Sequence, residues 1–135
     1  MSEPPDPGVE LERGRPPSLV SAVFCRRVHR QPDGSLAPEG ASNRVECGGA
    51  HHALVSLFLS LRSGDARGTH QIFIRQTTPP YVITCGTLPI ALPGNDERVD
   101  VEMRLTVTSP VDETVQIAVF LDAFLLTTMP LTIRR

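Results

Sequence analysis

The chain has 135 residues, 40% of them hydrophobic, with a net charge of -2 and a pI near 6.1. A domain of this size buries roughly two-thirds of its unfolded surface, so it needs neither disulfides nor a metal to hold a core. The charge balance exerts no global pull towards nucleic acid or an anionic membrane, and all 13 basic residues are arginines, which excludes a lysine nucleophile or Schiff base.

Residues 1 to 17 carry Pro4, Pro5, Pro7, Pro16 and Pro17 among charged residues and glycines. That composition buries too little apolar surface to offset ordering, and the segment is expected to be a disordered, Pro-rich tail. Pro4 and Pro7 fit a PxxP pattern, but the linker reading is preferred. The start has no apolar core of the signal-peptide kind, and no later run approaches the roughly 20 apolar residues of a membrane span. Cys25, Cys47 and Cys85 are odd in number and form no CxxC, so reduced thiols and a cytoplasmic location are expected.

From Ser18 the sequence alternates with period two, and residues 18 to 135 are expected to form one domain. SLVSAVFCRRV opens as a strand, and QPDGS follows as a turn: Pro fixes φ, Asp makes an Asx turn and Gly takes the left-handed position. HALVSLFLSLR suits burial on one or both faces, and THQIFIRQT follows the turn SGDARG. Residues 77 to 97, with four prolines, are expected to hold one short strand, YVITC, and otherwise loops. In RVDVEMRLTVT, residues Val99, Val101, Met103, Leu105 and Val107 face one way and the charged residues and threonines the other. TVQIAVFL repeats the pattern with Val115, Ile117, Val119 and Leu121 inward. LLTTMPLTI does so with Leu125, Thr127, Met129, Leu131 and Ile133, and Pro130 points to an edge position. Asp122 and Ala123 lie at a tight hairpin turn, where Ala disfavours positive φ and a longer or bulged loop is the alternative. Seven to nine strands with regular turn signals predict an all-β fold, an antiparallel two-sheet β-sandwich with an open β-barrel as the alternative.

Chemistry-bearing residues gather in ECGGAHHAL, Glu46 to Leu54. Zinc requires three or four N or S ligands at about 2.0 to 2.3 Å, and Cys47, His51 and His52 are the candidates. Adjacent histidines at a strand start face opposite sides, so only one would join Cys47, and a Gly-rich turn leading into a strand is the preferred reading. No metal or other cofactor is expected. A catalytic cysteine lacks supporting motifs, and Cys25 and Cys85 sit in apolar strands where small buried thiols are common. Asp100 and Glu102 project from one strand face at about 7 Å spacing, as paired glycosidase carboxylates do. Arg104 on the same face favours a solvated, charge-compensated surface instead. The densest basic patch is Arg26, Arg27, His29 and Arg30, with Arg13 and Arg15 nearby, yet it lacks the interleaved aromatics of single-strand binders, and a solvated strand end is preferred to nucleic-acid binding.

The segments SAVFCRRVHRQPDGSL and IAVFLDAFLLTTMPLTI resemble the opening strand with its D-G turn and the closing hairpin of a family of small uncharacterised bacterial β-sandwich proteins, a domain of unknown function. Ala123 departs from the usual turn glycine, and PEGASNRVEC is more polar than the matching strand. The resemblance covers about residues 18 to 133. It implies a β-sandwich and no catalytic residue. The expected function is a non-catalytic accessory or protein-interaction module without membrane contact. It would bind a protein partner or a second copy through a sheet edge at Thr127, Met129 and Leu131 or through the loops at Cys47 to His52 and Ala91 to Arg98. Rival readings are a metal-binding hydrolase or sensor centred on Cys47 and His51, and a nucleic-acid binder using Arg26, Arg27 and Arg30.

Overall fold

Alternating apolar and polar residues bury one side of a strand at a time, and this chain satisfies them with strands throughout. The computed structural model describes residues 14–48, 52–78 and 81–135, which form ten strands and no helix. These are β1 (Ser18–Cys25), β2 (Arg27–Arg30), β3 (Leu36–Glu39), β4 (Arg44–Glu46), β5 (His52–Arg62), β6 (Arg67–Thr78), β7 (Tyr81–Pro93), β8 (Arg98–Thr108), β9 (Glu113–Leu121) and β10 (Phe124–Arg134). They pair in three sheets, ordered β1-β5-β8, β4-β10-β9-β6-β7 and β2-β3. Pairing is antiparallel except between β4 and β10. No helix among the described residues is long and apolar enough to cross a membrane.

The two larger sheets share one hydrophobic core. Leu57, Leu59 and Leu61 of β5 and Leu105 and Val107 of β8 pack in the same cluster as Ile72 and Ile74 of β6, Ile117 and Val119 of β9, and Leu131 and Ile133 of β10. Burying such side chains contributes about 1.5–3 kcal/mol each relative to exposure. The alternation expected in β8 and β9 is observed: Met103, Leu105 and Val107 are buried between exposed Glu102, Arg104 and Thr106, and Val115, Ile117, Val119 and Leu121 are all buried.

A polar clamp joins the two sheets at one end. Gln76 of β6 is buried, and its amide donates from Nε2 to the Thr108 carbonyl (2.6 Å) while Oε1 accepts from the Thr108 N–H (3.2 Å). On that side β7 approaches β8 so closely that a Cβ on Gly86 would lie 3.1 Å from Leu105 Cδ2. Glycine there admits the neighbouring strand.

Several expectations are corrected. Ten strands replace seven to nine because β2, β3 and β4 have only three or four residues, too few to show a period. The opening strand ends at Cys25 and the chain turns at Arg26 into the β2–β3 hairpin, which packs against β1 and β5. Its turn forms as expected, with the Ser35 N–H donating to Asp33 Oδ1 (2.9 Å) and Gly34 at φ 88°. Residues 81–93 are one long strand rather than loops around YVITC. β7 is the outermost strand of its sheet, where a proline nitrogen facing away from the ladder costs no hydrogen bond. Of the expected tail, residues 1–13 lie outside the described residues. Arg15 is held in place: its N–H donates to Asp65 Oδ2 (2.6 Å), its carbonyl accepts from the Asp65 N–H (2.9 Å), and its guanidinium pairs with Asp96 (3.1 Å).

The clamp yields a stability prediction. Gln76→Ala removes a buried partner from Thr108 and is expected to lower the unfolding free energy by about 1–3 kcal/mol, read from urea denaturation. Gln116→Ala, on the exposed face of β9, should stay within about 0.5 kcal/mol of the parent. Equal effects at the two sites would show that the clamp contributes nothing specific.

Candidate functional site

The hairpin between β9 and β10 turns in two residues. Leu121 pairs with Phe124, and Asp122, rather than Ala123, takes the positive φ of 52°. Alanine therefore escapes the strained position, and no longer loop is needed. Asp122 is held from three directions: Oδ1 accepts from the Gln71 N–H (2.9 Å), its own N–H donates to the Gln71 carbonyl (2.7 Å), and Oδ2 lies 2.7 Å from His70 Nδ1. His70 Nε2 lies 2.9 Å from the Arg67 carbonyl. Both ring nitrogens thus face acceptors, which only the doubly protonated imidazolium satisfies. The hydrogen bond to Asp122 raises the His70 pKa, while the Gln71 N–H and then His70 lower that of Asp122. With no ring nitrogen left to take a proton from a substrate, this pair is a clamp on the turn and not a catalytic dyad.

Beyond the turn, β10 carries a bulge. Leu125 pairs with Phe120 and Thr127 with Val119, so Leu126 is the extra residue. The bulge shifts the parity: Leu126 packs on the core, whereas Leu125, expected inward, is 57% exposed beside Phe124 at 76%. β10 is also not an outer strand, since β4 lies beyond it, but β4 reaches only Thr132 to Arg134. The Thr132 N–H donates to the Asn43 carbonyl on the β4 side (2.8 Å). By alternation the Thr128 N–H and the Pro130 nitrogen face that same side, where no strand among the described residues pairs with them. Pro130 therefore marks an edge that is local, spanning the first two-thirds of β10. β1 comes near β10 without pairing to it.

The structure separates the residues that sequence spacing grouped. Of the expected edge contacts, Leu131 is wholly buried and Thr127 and Met129 are half-buried on the core side, while Thr128 and Pro130 face outward. Cys47 packs in the core and His52 is exposed at the start of β5; His51 lies outside the described residues. Among the described residues no three His, Cys, Asp or Glu side chains gather as a metal site. Burial raises the thiol pKa values of Cys25 and Cys85, and the Glu102 charge adds to the effect at Cys25. Both thiols are thereby kept protonated and unreactive. Asp100 pairs with Arg98 at 2.9 Å and Glu102 is exposed, as a charge-compensated surface requires.

The basic patch also divides. Arg27 makes a two-pronged pair with Glu39 (2.7 and 3.0 Å), and Arg30 donates to the Gly34 carbonyl (3.0 Å). Arg26 lies beside Glu39 and also lines a cleft of about 210 Å³ with Arg44 of β4 and Arg104 of β8. These two distant arginines have no sequence signal linking them to Arg26.

The turn clamp sets a pH dependence. The raised His70 pKa contributes stability that is full below the ordinary value and lost as pH rises through the raised one; the lowered Asp122 pKa contributes stability present above its ordinary value and lost as pH falls through the lowered one. The melting temperature should therefore fall as pH rises above about 6.5, and His70→Gln should flatten that fall. A slope unchanged in the variant would rule the clamp out as its source.

No family model matches the chain, and neither does any curated protein. Among solved structures it is similar to a β-glucosidase, EmGH1, from Erythrobacter marinus, with 14% identity, 84% of this chain and 15% of that chain covered, and a TM-score of 0.49. It is similar also to a β-glucosidase from Listeria innocua in complex with gluconolactone, with 10% identity, 84% and 16% covered, and a TM-score of 0.49. The chain spans 15% and 16% of those two proteins, and likeness at this level carries no argument about its activity.

Proposed function

We propose that this chain is a non-catalytic β-sandwich module of the cytoplasm that binds a protein partner by strand addition along the free edge of β10. The observation that carries the reading is the short reach of β4, which pairs with Thr132 to Arg134 and leaves the preceding stretch without a ladder neighbour on that side among the described residues. Beside that stretch stand Phe124 and Leu125, large apolar side chains in water at the tip of a clamped turn. An unpaired edge supplies main-chain hydrogen bonds to an extended segment, and flanking apolar anchors supply selectivity. Three free, buried cysteines suit a reducing compartment. The common core of the two larger sheets supports a sandwich over an open barrel, and a sandwich is also what the resemblance to the bacterial family implies.

A displayed library of random linear peptides, selected on the whole chain, tests the reading. Enriched peptides should alternate apolar and polar residues. Thr128→Pro removes the outward N–H without touching the β9 ladder, and Phe124→Asp removes an anchor; each should weaken binding by roughly tenfold or more. Peptides that bind both variants as well as the parent would place the binding surface elsewhere and defeat the proposal.

A further inference from the structure

The cleft lined by Arg26, Arg44 and Arg104 rests on a different observation from the β10 edge. The sequence contains 13 arginines, and Arg13 lies outside the described residues. Of the other twelve, nine are engaged by a carboxylate, a carbonyl, a side-chain amide or an aromatic ring. Among the described residues the three whose guanidinium groups have no hydrogen bond, ion pair or ring contact all line this one cleft, although Arg26 also feels the charge of Glu39. On a protein of net charge -2 that otherwise pairs its guanidinium groups, a random scatter of unpaired arginines would not converge on one depression.

The fold explains why the cleft exists. β1 stops at Cys25, which pairs with Ser56, so residues 52–55 of β5 have no ladder partner on that side among the described residues. β4, arriving parallel to the end of β10, closes the gap from the other side. Ser56 forms the floor, flanked in register by Cys25 on β1 and Arg104 on β8. Arg26 enters over Gly40, where an added Cβ would lie 2.6 Å from Arg26 Cδ; the absent side chain leaves room for the arginine stem. Arg44 enters from the first residue of β4, and Val45 and Leu54 add an apolar wall.

We propose that this cleft binds a phosphomonoester dianion through Arg26, Arg44 and Arg104. Guanidinium forks match the oxygens of a phosphate group and hold it by paired hydrogen bonds. Three arginines and Glu46 line the cleft, a lining charge of +2 that matches one dianion, and the nearby charges of Glu39 and Glu102 disfavour a polyanion such as a nucleic-acid strand. The cleft is large enough for a phosphate group with a short carbon moiety against Leu54. That chemistry occurs both in small phosphorylated metabolites and in a phosphorylated side chain of another protein.

Calorimetric titration of the whole chain in low-chloride buffer tests the assignment, with inorganic phosphate, free O-phosphoserine and a phosphoserine peptide as probes. Saturable one-to-one binding is expected. Arg26→Gln, Arg44→Gln and Arg104→Gln should each weaken it by roughly tenfold, while Arg75→Gln, whose guanidinium lies over Phe120, leaves it unchanged. Tighter binding of the peptide than of free phosphoserine identifies a protein source; equal binding identifies a small metabolite. Because the three arginines are exposed, the variants should melt with the parent, and a second readout, the Arg Nε–Hε resonances on adding phosphate, should move for these three alone. Absence of saturable binding by all three probes, or binding unchanged in the three variants, would overturn the proposal.

Discussion

Burial of the apolar faces of β5 and β8 against those of β6, β9 and β10 is the constraint on which the rest of this protein depends. Each strand offers one apolar row, and only a facing sheet removes it from water. Once that common core is formed, the edges become the problem, and each is handled differently. The Gln76 clamp ties β6 to β8, and the missing side chain at Gly86 lets β7 lie against β8. Across the fold, β4 covers only the end of β10 and β1 stops short of the start of β5. An open ladder and an arginine-lined cleft are the two consequences of that incomplete closure.

The two openings differ in chemistry. Along β10 the available groups are main-chain polar atoms flanked by Phe124 and Leu125, and the turn that presents them is fixed by Asp122 and His70. A surface held in this way loses little conformational freedom on binding, which favours association. The cleft beside β4 offers charge instead, with three guanidinium groups set around a serine floor. The free edge runs along the first part of β10 to Pro130, and β4, which lines the cleft, pairs with the residues that follow.

Sequence periodicity reads well where a strand is long and one-sided, as in β8 and β9, whose inward residues are those that alternation selects. It fails where a local irregularity changes the parity. The bulge at Leu126 turns Leu125 to solvent, and no composition signal marks it. The prolines of residues 77–97 read as breakers because sequence does not reveal that β7 is outermost. The sites show the same division. Pro130 correctly signals unpaired backbone, because a missing N–H is a local property. Arg26, Arg44 and Arg104 meet only through the placement of three strands in two sheets, and a patch defined by proximity in sequence groups Arg26 with two arginines that are engaged elsewhere.

Residue-resolved amide hydrogen exchange on the isolated chain tests the central claim, that β10 keeps a free edge for a partner. Rapid exchange is expected at Thr128, whose N–H faces the open side, and slow exchange at Leu131 and Ile133, whose N–H groups face β9. Protection at Thr128 equal to that at Leu131 would mean that the edge is already occupied, and the strand-addition account would be wrong.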